Sequence, residues 1–164
     1  MKLLATRTAQ KILAEEFVFN WNNWVVDSAD GTKKTLGSTV ALSTDPLESA
    51  LTGPVANTIT FDCLPMPVGA VIIGGELIVE TAGVGPTAYT VSLGIAGTLT
   101  ALLNAVSLLA TGRTALTLTT PLLSNAGQNL RATIAYTVAN ATAGKARLRV
   151  QYTVDSRAEE NVGA

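Results

Sequence analysis

Along most of the chain, apolar and polar positions alternate with a period of two, which predicts strands rather than helices. Tyr89–Ile95 alternates cleanly, with Tyr89, Val91, Leu93 and Ile95 on one side. Leu130, Ala132, Ile134, Tyr136 and Val138 form a second apolar row. Ala146, Leu148, Val150, Tyr152 and Val154 form a third. Nearer the start, Phe17–Val26 puts Phe17, Phe19 and Trp21 on one face and Trp24 on the other. Asn57–Leu64 sets Ile59, Phe61 and Cys63 against Thr58, Thr60 and Asp62. Arg113–Thr120 alternates until Pro121, and Thr35–Ser43 is a weaker strand.

Two apolar rows separated only by Ala139–Gly144 predict a long antiparallel hairpin, Leu130–Val138 with Ala146–Val154, its apolar face inward. The outer face of that hairpin would carry Arg131, Lys145, Arg147 and Arg149 among Thr133, Thr137, Gln151 and Thr153. Between Cys63 and Thr81 the pattern changes character. Pro65 and Pro67 fix φ and forbid a helical start. Val71-Ile72-Ile73 suits a strand buried on both sides, and Gly74-Gly75 marks a bulge or bend within it. Beyond the glycines, Leu77, Val79 and Thr81 alternate with Glu76, Ile78 and Glu80, so one face has turned polar.

Two segments leave alternatives open. In Gly97–Ala110, Leu99, Leu102, Leu103 and Val106 stand at helical spacing, yet a loop with a short turn is equally consistent. Residues 1–16 lack alternation; Ala9–Phe17 is either a short helix with Thr8 as its N-cap or part of an extended arm. Asp27-Ser28-Ala29-Asp30-Gly31, Thr44–Asn57 and Gly83-Val84-Gly85-Pro86 read as turns and loops.

Roughly eight strands with turns every ~8–12 residues predict an all-β fold, an antiparallel β-sandwich or jelly roll with an N-terminal arm or short helix. The expected division is an arm over 1–16, the sandwich over 17–155 and a polar tail over 156–164. At 164 residues the chain suits one domain, burying ~70% of its unfolded surface. Only 14% of residues are charged, against a usual ~25%. A surface so poor in charge suits a protein partly covered in an assembly.

The net charge of −1 argues against direct nucleic-acid binding and against an anionic membrane as partner. The charges are unevenly placed. From Thr81 to Val154 there is no acid, only Arg113, Arg131, Lys145, Arg147 and Arg149. A single cysteine, Cys63, cannot form an internal disulfide. Arg7 and Lys11 interrupt any apolar signal core after Met1-Lys2-Leu3-Leu4. No stretch approaches the ~20 apolar residues of a membrane span. Synthesis in a reducing cytoplasm is the expectation.

Catalytic chemistry finds little support. The chain has no histidine, which removes His-based triads, relays and zinc motifs together. Glu76 and Glu80 share a strand face but stand ~13 Å apart along it, beyond the ~5–9.5 Å of glycosidase pairs. Asp27–Gly31 lacks the ligand spacing of a calcium loop, so a plain turn is expected. Gly94-Ile95-Ala96-Gly97 lacks the spacing and lysine of a phosphate loop. Cys63 reads as an inert core thiol. Trp21 and Trp24, among Asn20, Asn22 and Asn23, have the residue types of a sugar site. Their opposite faces argue against a shared platform, and Trp21 is expected in the core. No enzyme activity, cofactor or metal is expected.

Several stretches together resemble a known group. They are Glu16-Phe17-Val18-Phe19-Asn20-Trp21-Asn22-Asn23-Trp24, Cys63–Ala70, Gly74-Gly75-Glu76-Leu77, Val91-Ser92-Leu93-Gly94, Gly112–Leu116 and Arg147–Val150 ending in Asp155-Ser156-Arg157-Ala158. In order and spacing the chain resembles the capsid decoration, or cement, proteins of tailed bacteriophages, with a jelly-roll fold. The resemblance implies a virion protein, made in the bacterial host cytoplasm, that binds the capsid exterior as a homodimer or homotrimer. It would bridge neighbouring subunits of the major capsid protein of the same phage and stabilise the shell. Arg7, Lys11, Arg131, Lys145, Arg147 and Arg149 are the candidate contacts to capsid or sister subunits. The alternative is a carbohydrate-binding or receptor-binding β-sandwich module of a phage fibre or tail.

Overall fold

A computed structural model describes residues 12–41, 58–118, 123–124, 127–137 and 139–154. The expected 156–164 tail, the whole of the Thr44–Asn57 loop, and Arg7 and Lys11 lie outside the described residues. So does the part of the arm before Ile12.

Among the described residues every regular element is a strand. β1 (Leu13–Asn20), β12 (Ala143–Val154) and β6 (Ala70–Val84) form one sheet in the order β1-β12-β6. The far edge of β6 is shared by two short strands. β10 (Leu123–Ser124) pairs with Ala70 and Val71, and β9 (Gly112–Ala115) pairs with Glu76–Val79. The second sheet has the order β5-β11-β7-β8, from β5 (Thr58–Pro65), β11 (Asn129–Thr137), β7 (Ala88–Ile95) and β8 (Thr98–Ser107). With β9 and β10 counted as one, the eight framework strands are arranged 1-8-3-6 and 2-7-4-5. That is the double Greek key of a jelly roll. A small third sheet, β2 (Trp24–Val26), β3 (Lys33–Thr35) and β4 (Ser38–Ala41), is inserted between the first two framework strands.

The expected hairpin does not exist. β11 pairs with β5 and β7, whereas β12 pairs with β1 and β6. The two apolar rows face each other across the sandwich, Leu130, Ala132, Ile134 and Tyr136 from one sheet and Ala146, Leu148, Val150 and Tyr152 from the other, all buried. Alternation assigns a face to each residue but is silent on the partner strand.

Other expectations shift in detail. β1 begins at Leu13, so residues 13–16 belong to the sheet and not to an arm or helix. Gly97–Ala110 is mostly strand β8. Its leucines stand at helical spacing because the strand bulges twice against β7. Two steps on β7 meet three on β8 between Val91↔Val106 and Leu93↔Leu103, and two meet five from there to Ile95↔Thr98. The first bulge holds Ala105 at φ 49°, its N–H donating to Ser92 Oγ at 2.9 Å. Gly94 lies under the second bulge, where an added Cβ would come within 1.9 Å of the Thr98 carbonyl oxygen. Ile73 is 40% exposed rather than buried on both sides. It is the unpaired residue of a bulge between Gln151↔Gly74 and Tyr152↔Ile72, directly before the glycine pair expected to mark one.

The inserted sheet shares the sandwich core. Leu36, from the β3–β4 turn, is fully buried in that cluster, and its carbonyl accepts the Tyr89 hydroxyl at 2.9 Å. Asp27 and Lys34 are buried together, with Lys34 Nζ 2.7 Å from Asp27 Oδ2 and 2.6 Å from Asp30 Oδ2. Asp27 Oδ1 accepts the N–H of Ala29 at 3.0 Å and of Thr60 at 3.3 Å, which ties the turn to β5. The ammonium thus occupies the space between the turn's carboxylates, and Asp27–Gly31 is the plain turn its residues predict. Burial alone would lower the Lys34 pKa, but the hydrogen bonds and charges of Asp27 and Asp30 together outweigh it and raise it.

Two stability measurements follow from these details. Ala105→Gly removes a left-handed conformation that costs a residue with a Cβ about 1 kcal/mol. Its urea midpoint should rise by about that free energy without a change in slope; a lower midpoint would contradict the strained geometry. Lys34→Met leaves the Asp27 carboxylate buried and unpaired, and should cost about 3 kcal/mol. Adding Asp27→Asn keeps Oδ1 as an acceptor and should recover most of that loss. Additive losses in the double variant would show that the two side chains do not act as a pair.

Candidate interaction surface

The outer face of the β1-β12-β6 sheet follows directly from the register. β12 turns Ala146, Leu148 and Val150 inward, so Lys145, Arg147 and Arg149 point outward. β1 and β6 flank it. Glu16 and Glu76 stand directly opposite Arg149, and Val18 and Ile78 stand opposite Arg147. Acid and base therefore meet straight across the strands or along a diagonal. Arg149 Nε donates to Glu16 Oε2 at 2.8 Å, and Arg147 Nη1 also reaches Glu16. On the other side, Arg147 Nε donates to Glu80 Oε1 at 2.7 Å, and Lys145 Nζ lies 2.8 Å from Glu80 Oε2. Arg113 from β9 donates to Glu76 through both Nε and Nη2.

This face is a lattice of three carboxylates and four cations, and not the uniformly basic strip that the sequence suggests. The acids come from β1 and β6, which precede the acid-free stretch in sequence and are brought beside β12 by the jelly-roll connections. The readable signal was the matching period of Glu76-Ile78-Glu80 and Lys145-Arg147-Arg149. The strand pairing that joins them was not readable.

Arg131 is separated from the other candidates, because β11 belongs to the opposite sheet. It donates to Asp62 Oδ1 at 2.7 Å, and Asn129 donates to Asp62 Oδ2 at 2.9 Å. The four described candidates thus form one group of three and a lone arginine on the other outer face. Cys63 lies in the core as expected. Its thiol donates to the Leu130 carbonyl, and burial pushes its pKa up to about 12.

The tryptophans also part company. Trp21 follows β1 in a turn and is 37% exposed, so it caps the sandwich edge beside Phe19 and Tyr89 and is not a core residue. The break in the strand at Asn20 moves it off the Phe17–Phe19 row. Trp24 is 58% exposed on β2, with Lys33 Nζ 4.7 Å over its ring. It borders an open groove of about 480 Å³ between the inserted sheet and the β1 and β5 edges.

No protein-family model and no curated protein matches the sequence. Among solved structures, the chain is similar to one in the cyanophage Pam1 capsid asymmetric unit, with a TM-score of 0.51 and 18% identity over 94% of each chain. At that identity the likeness is one of fold.

The charged face contributes to the acid behaviour of the protein, together with Asp30 and Asp62, whose pKa values are also lowered. A hydrogen bond from Arg149 chiefly holds Glu16 below its usual 4.5, one from Arg113 does so for Glu76, and one from Lys145 for Glu80. Groups with depressed folded-state pKa values stabilise fully above the unfolded value, and that contribution is lost as pH falls through the folded one. The melting temperature should therefore be flat between about pH 5 and 8 and decline below about 4.5. Glu16→Gln with Glu80→Gln should reduce that acid decline. An unchanged acid slope in the double variant would show that these carboxylates do not govern it.

Proposed function

We propose that the protein is a non-enzymatic structural component of a tailed-phage virion, placed on the outside of the assembled capsid. There it bridges neighbouring subunits of the major capsid protein and stabilises the shell, acting as a homodimer or homotrimer. The observation that carries this reading is the jelly-roll likeness to a chain of the cyanophage Pam1 capsid asymmetric unit over 94% of both chains. The decoration-protein resemblance of the sequence and its low charge content point the same way. Many identical contacts on a symmetric shell make individually weak interfaces strong in sum.

In this reading the β1-β12-β6 outer face meets an acidic capsid surface. Lys145, Arg147 and Arg149 exchange carboxylate partners on docking, and Arg131 serves a second contact on the opposite face. Arg7 and Lys11 contribute from the N-terminal segment. Arg131, Lys145, Arg147 and Arg149 already have internal partners, so docking exchanges ion pairs rather than neutralising free charges. The pairs formed with the capsid are screened by salt, and association should weaken as salt rises.

The test mixes purified protein with undecorated capsids and measures occupancy after sedimentation. Wild-type protein should bind and be displaced by salt. Arg147→Ala with Arg149→Ala should reduce affinity by about tenfold or more. Deleting residues 1–11, which leaves β1 intact, should also weaken binding. Glu16→Gln, which removes the internal acid without touching the arginines, should not. Full occupancy by the arginine and deletion variants would overturn the contact assignment. Failure of wild-type protein to bind would overturn the decoration role itself.

A further inference from the structure

The groove beside Trp24 is not used by the capsid reading, and its lining mixes aromatic and aliphatic side chains with an amide, a hydroxyl and a carboxylate. We propose that it binds a neutral glycan, with one sugar ring on the free side of the Trp24 indole and hydroxyls bonded to Asn23, Ser28 and Asp62. The floor is apolar and firm. Phe17 packs on buried Phe61 with ring centroids 5.9 Å apart. Trp24 stands at the wall, 58% exposed, and the Lys33 ammonium over its ring restrains it.

The polar groups are spaced around this aromatic surface. Asn23 and Ser28 lie at the two ends of the β2 segment, and Asp62 comes from β5. Asp62 is held by Asn129 and Arg131, one bond to each oxygen, which leaves acceptor capacity on both. The lining excludes other ligand classes. Among the described residues no cation lines the groove, and the one acid there is already balanced by Arg131. A phosphate would meet a carboxylate, and a purely apolar partner would take the Asn23 amide, the Ser28 hydroxyl and the remaining acceptor sites of Asp62 out of water without replacing their hydrogen bonds. An uncharged ring with one apolar face and a rim of hydroxyls satisfies both kinds of group. At about 480 Å³ the groove also falls within the usual size of small-ligand sites.

The groove shares only the Arg131–Asp62 pair with the capsid reading, and a test of glycan binding needs no particles. Neutral oligosaccharides of the malto, cello, laminari, manno and chito series are titrated at millimolar concentration into isotopically labelled protein. The two indole N–H resonances report directly. At least one series should move the Trp24 signal saturably and leave that of Trp21 in place. Trp24→Ala should weaken that binding about tenfold or more. Asn23→Ala should weaken it less, and Trp24→Tyr should retain part of it. Trp24 is mostly exposed, so the variants should keep the wild-type melting temperature; if Trp24→Ala does not, Asn23→Ala and Trp24→Tyr carry the comparison.

Three outcomes overturn the proposal. One is that no series moves the Trp24 resonance, and another is that binding persists undiminished in Trp24→Ala. The third is that Trp24→Ala abolishes self-association while no saccharide binds, which assigns the groove to a protein contact.

Discussion

Every strand in the framework must bury one face against the opposite sheet, and that requirement organises the molecule. The pairing of faces across the sandwich, Leu130–Tyr136 of β11 over Ala146–Tyr152 of β12, contributes the central rows of the core. Once those rows are buried, the alternate residues have no choice but to point outward. The charged lattice on the β1-β12-β6 sheet is therefore a consequence of the core. Lys145, Arg147 and Arg149 are exposed because Ala146, Leu148 and Val150 are not.

The same constraint explains which parts of the sequence could be read. A period of two states which side of a strand is buried, and for most positions of β5, β7, β11 and β12 that reading is correct. Leu64, Gly94 and Thr153 are buried although they stand on the outer parity, and Ile95 and Val154 are only half-buried. The period does not state which strand lies alongside. Adjacent strands in a hairpin and facing strands in a sandwich demand identical patterns, so β11 and β12 read as a hairpin although they lie in different sheets. Bulges hide information in another way. Extra residues in β8 shift its apolar positions off period two, and Leu99, Leu102, Leu103 and Val106 then mimic a helix face.

The candidate surface was legible by half for a related reason. The cations sit on one strand close together in sequence, and they were visible. Their acids sit on strands about 70 and 130 residues away, joined only by the jelly-roll connections. Lys34 was hidden similarly, since nothing in Thr32-Lys33-Lys34-Thr35 distinguishes the lysine that snorkels over Trp24 from the one buried between two aspartates. Period two separates the two lysines, but only after β3 is known to have an inner face.

The first and last framework strands, β1 and β12, lie side by side and antiparallel, with Leu13 opposite Tyr152. The chain therefore enters and leaves the sandwich at one corner. Tension applied through both ends would load the β1–β12 ladder one rung at a time, starting at that corner, and peel β1 away from the sheet. Force applied along the strands would instead load all the rungs together. The fold is mechanically anisotropic: weak when its ends are drawn apart, and resistant to shear across its broad charged face.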